Sequence, residues 1–272
     1  MRTILLVAQY DGTAFAGWQH QPEQRTVQTT LAQAVQQMVG HPVELFASSR
    51  TDSGVHARMM PVSFETERDH IRPTGFIKGL NSLLPADLSV TDAREVPLGW
   101  RPRDAALAKT YTYRLQLGPR HALSQRFTWW RPKARPDLAA MREGAAHLVG
   151  EQDFAAFRSI HCDAHTTRRR IYAIDISDPS ADRVVTIVLT GNAFLRNMVR
   201  IIVGTLVEVA SGQRSAASVA TALASGIRTD AGPTAPACGL TLTEVHFEGY
   251  PRLGKRGAPP PGTTELPSPP EF

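Results

Sequence analysis

What most constrains the fold of this chain is an order of apolar periods that occurs twice: alternation, helical period, two alternations, helical period, alternation. Thr3 to Tyr10 alternates as a strand. Val27 to Val39 places Val27, Leu31, Ala34, Val35 and Met38 on one helical face behind Thr26, a residue type that caps helix starts. Val43 to Ala47 and Met59 to Glu65 read as strands, Thr74 to Leu84 as a helix entered through Pro73, and Leu88 to Val96 as a closing strand. From Ala108 the order returns: a strand over Lys109 to Leu117, a helix over Asp137 to Val149, strands over Arg170 to Ser177 and Arg183 to Leu189, and a helix over Ala193 to Ala210. A further helix near Ser215 to Ala224 precedes a last strand at Leu240 to Phe247. Two β-α-β-β-α-β units predict an α+β (mixed α/β) protein of two ferredoxin-like, RRM-like halves, whose mostly antiparallel sheets are covered by helices on one face. The halves are expected over residues 1–105 and 106–250, with a cleft between them, and the Pro- and Gly-rich residues 251–272 are expected to form a disordered tail.

Within the first half, Ser49 to Ala57 reads Ser-Arg-Thr-Asp-Ser-Gly-Val-His-Ala. A glycine two positions after Asp52 lets the backbone turn through angles that other residues avoid, and such a loop can press a carboxylate against a ligand. Asp52 is therefore the first candidate for chemistry. The other reading is a plain Asp-Ser-Gly turn in which the aspartate only bonds its own backbone.

The formal charge of +5 and a pI near 9.5 favour a polyanionic partner. Arg158, His161, His165, Arg168, Arg169 and Arg170 gather in one short stretch opposed only by Asp163, which reads either as a phosphate track or as a solvated charged loop. The N-terminal apolar run is too short for a signal peptide and no stretch reaches the length of a membrane span, so a cytoplasmic protein without membrane attachment is expected. Cys162 and Cys238 lack a paired spacing and are expected to be reduced thiols.

Other constellations add to Asp52. The segment Ala193 to Ala210 is apolar almost all round and predicts a buried helix, on which Arg196 and Arg200 stand four apart on one face. A guanidinium on such a helix either meets an anion, for which Asp52 is a candidate, or reaches solvent, the reading preferred for Arg196. An arginine opposite Asp52 would hold the carboxylate ionised, which suits a nucleophile or base. Lys109, Tyr111 and Tyr113 share one face of their strand, where an aromatic ring stacks on a base or packs on a helix; Tyr113 reads as the packing residue. His161, Cys162 and His165 could supply part of a metal site, but no second pair of ligands is evident and no metal is expected. There is no P-loop, dinucleotide-binding glycine motif or metalloprotease helix.

From about Thr3 to Tyr250 these segments closely resemble the tRNA pseudouridine synthase A (TruA) family. The resemblance rests on Tyr10-Asp-Gly with Gly17-Trp-Gln, Thr26-Val-Gln28, Arg50-Thr-Asp-Ser-Gly-Val-His56, Asn81 with Leu84-Pro85, Lys109-Thr-Tyr111, Asp153-Phe-Ala-Ala-Phe157, Phe194 through Met198-Val-Arg200, and Ala237-Cys-Gly-Leu240, in the family's order. It implies the pseudouridine synthase fold with a catalytic cleft between the halves. It also implies a homodimer that isomerises uridines at positions 38, 39 and 40 of the anticodon stem-loop of tRNA, without cofactor or metal. Asp52 matches the essential carboxylate, Arg50 the arginine that helps displace the target base, Tyr111 the tyrosine that stacks on uracil, Arg200 the partner of the aspartate, and Leu240 an apolar pocket residue. The candidate set is thus Asp52, Arg50, Tyr111 and Arg200 for catalysis, and Tyr111, Leu240, Arg50, His56, Arg168, Arg169 and Arg170 for substrate binding. The chain departs from the pattern at Ser49, where glycine is common, at Pro61, expected to interrupt a strand, and at Arg103-Asp104, where an aromatic usually follows the arginine.

Two rival readings come from other classes. Asp52-Ser-Gly54 with Asp230-Ala-Gly232 mimics an aspartic protease pair, although such carboxylates share a proton in strand-rich lobes and here an arginine precedes Asp52. A non-catalytic RNA-binding protein of duplicated sheet modules would explain the charge and the aromatics but leaves Asp52 unused.

Overall fold

The computed structural model describes residues 1–160, 162 and 164–248; His161, Asp163 and the expected tail lie outside the described residues. The described chain divides into two compact units, one of residues 1–107 with 242–248, the other of residues 108–241.

The first unit contains β1 (Arg2–Tyr10), α1 (Val27–Val39), β2 (Phe46–Ala47), β3 (His56–Thr66), α2 (Pro73–Leu83), β4 (Leu88–Val96) and the one-turn α3 (Pro102–Ala105). Thr26 caps α1 by accepting the Thr29 N–H, and Gly40 closes it in the left-handed region at φ 75°. Pro73 opens α2, where its missing N–H costs nothing. The strands run β4-β1-β3 with antiparallel pairing, and β3 has the last strand among the described residues on its other side. β1 is buried on both faces: Leu5 and Val7, which alternation puts on one side, join Met59 and Val96 in a cluster covered by Trp100 and Phe247. The rings of Trp100 and Phe247 lie 5.2 Å apart. The strand expected over Val43 to Ala47 shrinks to the two residues of β2, paired with Val62 and Ser63. β3 runs unbroken through Pro61, which stands opposite Val7 and whose carbonyl accepts the Ser48 N–H, so the proline does not interrupt the strand.

The second unit contains β5 (Ala106–Leu117), β6 (Trp129–Arg131), α4 (Leu138–Ala146), β7 (Gly150–Asp153), β8 (Arg168–Ile176), β9 (Val184–Gly191), α5 (Met198–Ala210) and α6 (Ala217–Ser225). β10 (Leu240–Phe247) starts here and passes into the first unit at Leu242. The strands run β5-β9-β8-β7, all antiparallel, and β6 adds to β5 in parallel. The expected mixed α/β class with mostly antiparallel strands is what the chain adopts. α5 is shorter than its apolar pattern: Asn197 stands at φ 62° and the helix begins at Met198. Arg196 therefore lies outside the helix, exposed, and the four-residue spacing does not put it on the helical face of Arg200. Gly204 lets α5 meet the Pro233 carbonyl, since a Cβ there would stand 1.8 Å from that oxygen. No helix among the described residues is long and apolar enough to cross a membrane.

Candidate active site

In the first unit the Asp52 loop is held by the segment that follows β1. The hydroxyls of Tyr10 and Thr51 share a buried hydrogen bond of 2.8 Å, and the Trp18 N–H donates to the Thr51 carbonyl at 3.0 Å. Gly54 takes φ 77° and donates to the Phe15 carbonyl, while Val55 N–H closes the turn on the Asp52 carbonyl at 3.1 Å. Two glycines make this approach possible. A Cβ on Gly12 would lie 2.0 Å from the Val55 oxygen, and one on Gly17, itself at φ 98°, would lie 2.8 Å from the Thr51 oxygen. The loop is thus fixed by backbone on backbone, with Asp52 half-buried and Arg50 exposed beside it.

His56 is not at the surface. Its ring is 2 % exposed, with Nδ1 3.0 Å from the Gly12 N–H that it accepts and 3.2 Å from an Asp11 carboxylate oxygen. One nitrogen cannot accept from Gly12 and donate to Asp11 at the same time: Nδ1 accepts from Gly12 when it is bare and donates to Asp11 when it carries a proton. In either form His56 ties β3 to the Asp11 turn.

A further clamp was not visible in the sequence. Arg25 donates two hydrogen bonds of 2.7 Å to Asp87, and its guanidinium lies 4.1 Å over the Phe15 ring. The Arg25 hydrogen bonds, partly opposed by burial, hold the Asp87 carboxyl below its ordinary value, and Arg25 rises in return. A lowered carboxyl stabilises the fold fully above its unfolded pKa of about 4 and loses that contribution as pH falls through the folded value. With side-chain exposures of 40 % and 25 % the pair is screened. Asp87→Asn is expected to cost about 1 kcal/mol at neutral pH, and the difference from wild type should shrink below about pH 4. Urea midpoints at neutral and acid pH measure it; a difference that does not change with pH would remove the ionic account.

In the second unit, Tyr111 and Tyr113 share a face of β5. Tyr111 is 8 % exposed and meets Phe194 edge-on at 5.2 Å. Tyr113 is fully buried and donates its hydroxyl to the Pro236 carbonyl at 2.7 Å; burial, then the neighbouring Cys238, pushes its phenol above the ordinary range. Arg200 is braced by the same segment. Its Nε donates to the Ala235 carbonyl at 2.8 Å, its backbone carbonyl accepts the Ala235 N–H at 3.0 Å, and its Nη1 donates to Asn197 at 3.0 Å. Leu240, 5 % exposed, ends the turn Ala237–Gly239 that packs against Tyr113. The stretch from Ala235 to Leu240 therefore brings Arg200, Tyr113 and Leu240 together within this unit.

The basic run is divided by strand geometry. Arg168, Arg169 and Arg170 all lie in β8, which begins two residues earlier than expected, so Arg168 and Arg170 are exposed on one face and Arg169 turns to the other. Arg168 stands 3.7 Å from Glu151, while Arg169 bonds the carbonyls of Thr166 and Arg168, and burial lowers its pKa. Asp230, the second half of the protease reading, sits in a turn whose backbone is held by Arg214. Among the described residues no cluster of three or more His, Cys, Asp or Glu is placed to hold a metal ion; neither Cys162 nor Cys238 is in a disulfide, and the Cys238 thiol donates to the Thr128 carbonyl at 3.5 Å.

The family model described as tRNA pseudouridine synthase matches residues 6–103 and 145–248. The chain belongs to the tRNA pseudouridine synthase family. The tRNA pseudouridine synthase A of Geobacter sulfurreducens is 47 % identical over 247 residues, which is 91 % of this chain and 100 % of that protein. Its namesake in Geobacter sp. strain M21 is 46 % identical over 248 residues, covering 91 % of this chain and 99 % of the relative. A solved Cbf5-Nop10-Gar1 complex aligns at a TM-score of 0.35 and 14 % identity over 90 % of this chain and 58 % of that one. Both matched blocks of the pseudouridine synthase model include candidate residues: the first takes in Arg50, Asp52 and His56, the second Arg168 to Arg170, Arg200 and Leu240. Tyr111 falls between the blocks.

Proposed function

We propose that this chain converts uridine to pseudouridine in the anticodon stem-loop of tRNA, at positions 38, 39 and 40, as a cytoplasmic homodimer. The observation that carries the reading is the Asp52 loop, a half-buried carboxylate on a turn fixed from Tyr10, Gly12, Gly17 and Trp18. A group that acts on a glycosidic bond works best when it is held in place before the substrate arrives. The relatives' names and the order of the motifs point to the same substrate class.

The reaction gains and loses no atoms. The nucleotide leaves the stack, the bond from N1 to the ribose breaks, the uracil turns, C5 joins the sugar, and the C5 proton passes to water while N1 takes up a proton in its place. Asp52 acts as nucleophile or base, Arg50 helps displace the base, and Tyr111 stacks on the uracil. Leu240 provides an apolar wall that retains the detached ring, and Arg200 matches the arginine that the family resemblance pairs with the aspartate. His56 positions the loop from within. Exposed Arg168 and Arg170 offer charge to RNA phosphates.

The test is release of tritium to water from tRNA labelled at uridine C5. Wild type is expected to release it, and Arg200→Ala to release it about a hundredfold more slowly at neutral pH. No release by wild type on any tRNA preparation would overturn the reading in favour of a binding protein. Normal turnover by Arg200→Ala would remove that arginine from the mechanism.

A further inference from the structure

The second unit contains a cavity of about 600 Å³ that shares no residue with the candidate site. Met141 of α4 and Val207 of α5 line its apolar part, and Arg131, Lys133 and Arg135 stand along the segment that leaves β6. No carboxylate lines it. The acid next in sequence, Asp137, is occupied in capping α4 through the Ala140 N–H. Among the described residues none of the three cations is in an ion pair. Beside them Trp130 is 39 % exposed, and its indole N–H is pinned to the Gly118 carbonyl at 2.9 Å. The Arg120 guanidinium stands 5.9 Å from the centroid of that ring, and a part-exposed aromatic whose polar edge is fixed is a stacking platform ordered in advance, to which this arginine adds a further cation.

Three cations gathered within five residues repel one another and call for an anion. The apolar part and the indole call for a flat ring. One ligand class supplies both: a nucleotide, stacked on the tryptophan with its phosphates among the basic side chains. The volume suits a ligand of that size. Three cations with no carboxylate among the lining residues favour an anionic occupant over a second copy of this chain. Val207 lies seven residues beyond Arg200 on α5, about 10 Å along the axis and back on nearly the same side, so an RNA strand near Arg200 passes within a few nucleotides of the cavity. We propose that this cavity binds an unpaired nucleotide of the RNA substrate other than the target uridine, its base on Trp130 and its phosphates on Arg131, Lys133 and Arg135. The identity of the RNA rests on the proposed function; the nucleotide chemistry rests on the cavity.

The experiment measures affinity of the full chain for fluorescently labelled tRNA by anisotropy between about 50 and 200 mM salt, where phosphate contacts dominate the slope. Lys133→Ala/Arg135→Ala, at two exposed positions, is expected to weaken binding about tenfold and to flatten the plot of log Kd against log salt by about 1.5. Trp130→Ala is expected to weaken binding about fivefold to tenfold with the salt slope unchanged. Urea midpoints check that each variant is folded. If both variants bind tRNA with wild-type affinity and slope, the cavity does not take RNA. If they instead turn a sedimenting dimer into monomers while affinity per protomer is kept, the surface belongs to a second copy and the proposal is equally overturned. Tritium release by wild type is scored separately, so a chain that binds through this cavity without isomerising uridine would sink the proposed function and leave this one standing.

Discussion

Asp52→Asn is expected to abolish tritium release, by about a thousandfold or more, while tRNA affinity stays within about twofold of wild type. The substitution is nearly isosteric. It leaves the backbone bonds of the turn in place: the Val55 N–H to the Asp52 carbonyl, the Gly54 N–H to Phe15 and the Trp18 N–H to Thr51. What it removes is the negative charge and with it the ability to attack the nucleoside or take its proton. A loss of turnover with unchanged affinity and an unchanged urea midpoint therefore assigns the effect to chemistry. A variant that still released tritium near the wild-type rate would take Asp52 out of the mechanism and reduce the loop to a shaped binding element. The protease reading makes no such prediction, since it requires no RNA.

How far the chain could be read in advance differs from element to element. Periods of two and 3.6 residues carried β1, α1, α2, β4 and β5, because each buries one face or both and is punctuated by Thr26, Pro73 or a turn. β6 and β7 were not foreseen. β6 is three residues long, and Gly150-Glu-Gln-Asp153 has no apolar alternation; both exist because a neighbouring strand offers an edge. The start of α5 was hidden for another reason. Apolar content runs from Phe194 without a gap, and only the backbone angle of Asn197 shows where the helix begins. At the site, the motif residues were legible as a set, but the clamps around them were not. Arg25 and Asp87 are 62 positions apart, and the burial of His56 follows from the Gly12 N–H and Asp11 reaching it. The aromatic and basic run Trp129-Trp130-Arg-Pro-Lys-Ala-Arg135 was a signal in plain view, of the kind that marks nucleic-acid contact, that pattern reading had passed over.

Gly12→Ala is the substitution expected to do the most damage to both stability and turnover while adding the least. Its new methyl would stand 2.0 Å from the Val55 oxygen and 2.5 Å from the Val55 carbonyl carbon. Both atoms are backbone, so no side chain can rotate away and the Asp11 turn must lift off the loop. That movement would stretch the 3.0 Å bond from the Gly12 N–H to His56 and loosen the Phe15 carbonyl from Gly54, two residues after Asp52. We expect a loss of about 2–3 kcal/mol in urea unfolding, in the range for a buried site with no room for an added methyl. Turnover should fall about a hundredfold at a temperature where the variant remains folded, because a displacement near 1 Å at the reacting group is enough to cost that much. Gly99→Ala provides the control. Gly99 has φ 78° and nothing within 4 Å of an added Cβ, so its cost is backbone strain alone, about 1 kcal/mol, with turnover unchanged. Equal effects of the two substitutions on tritium release would mean that the glycines act only through general stability. A large separation in turnover would identify the contact between the Asp11 turn and Val55 as what holds Asp52 in working position.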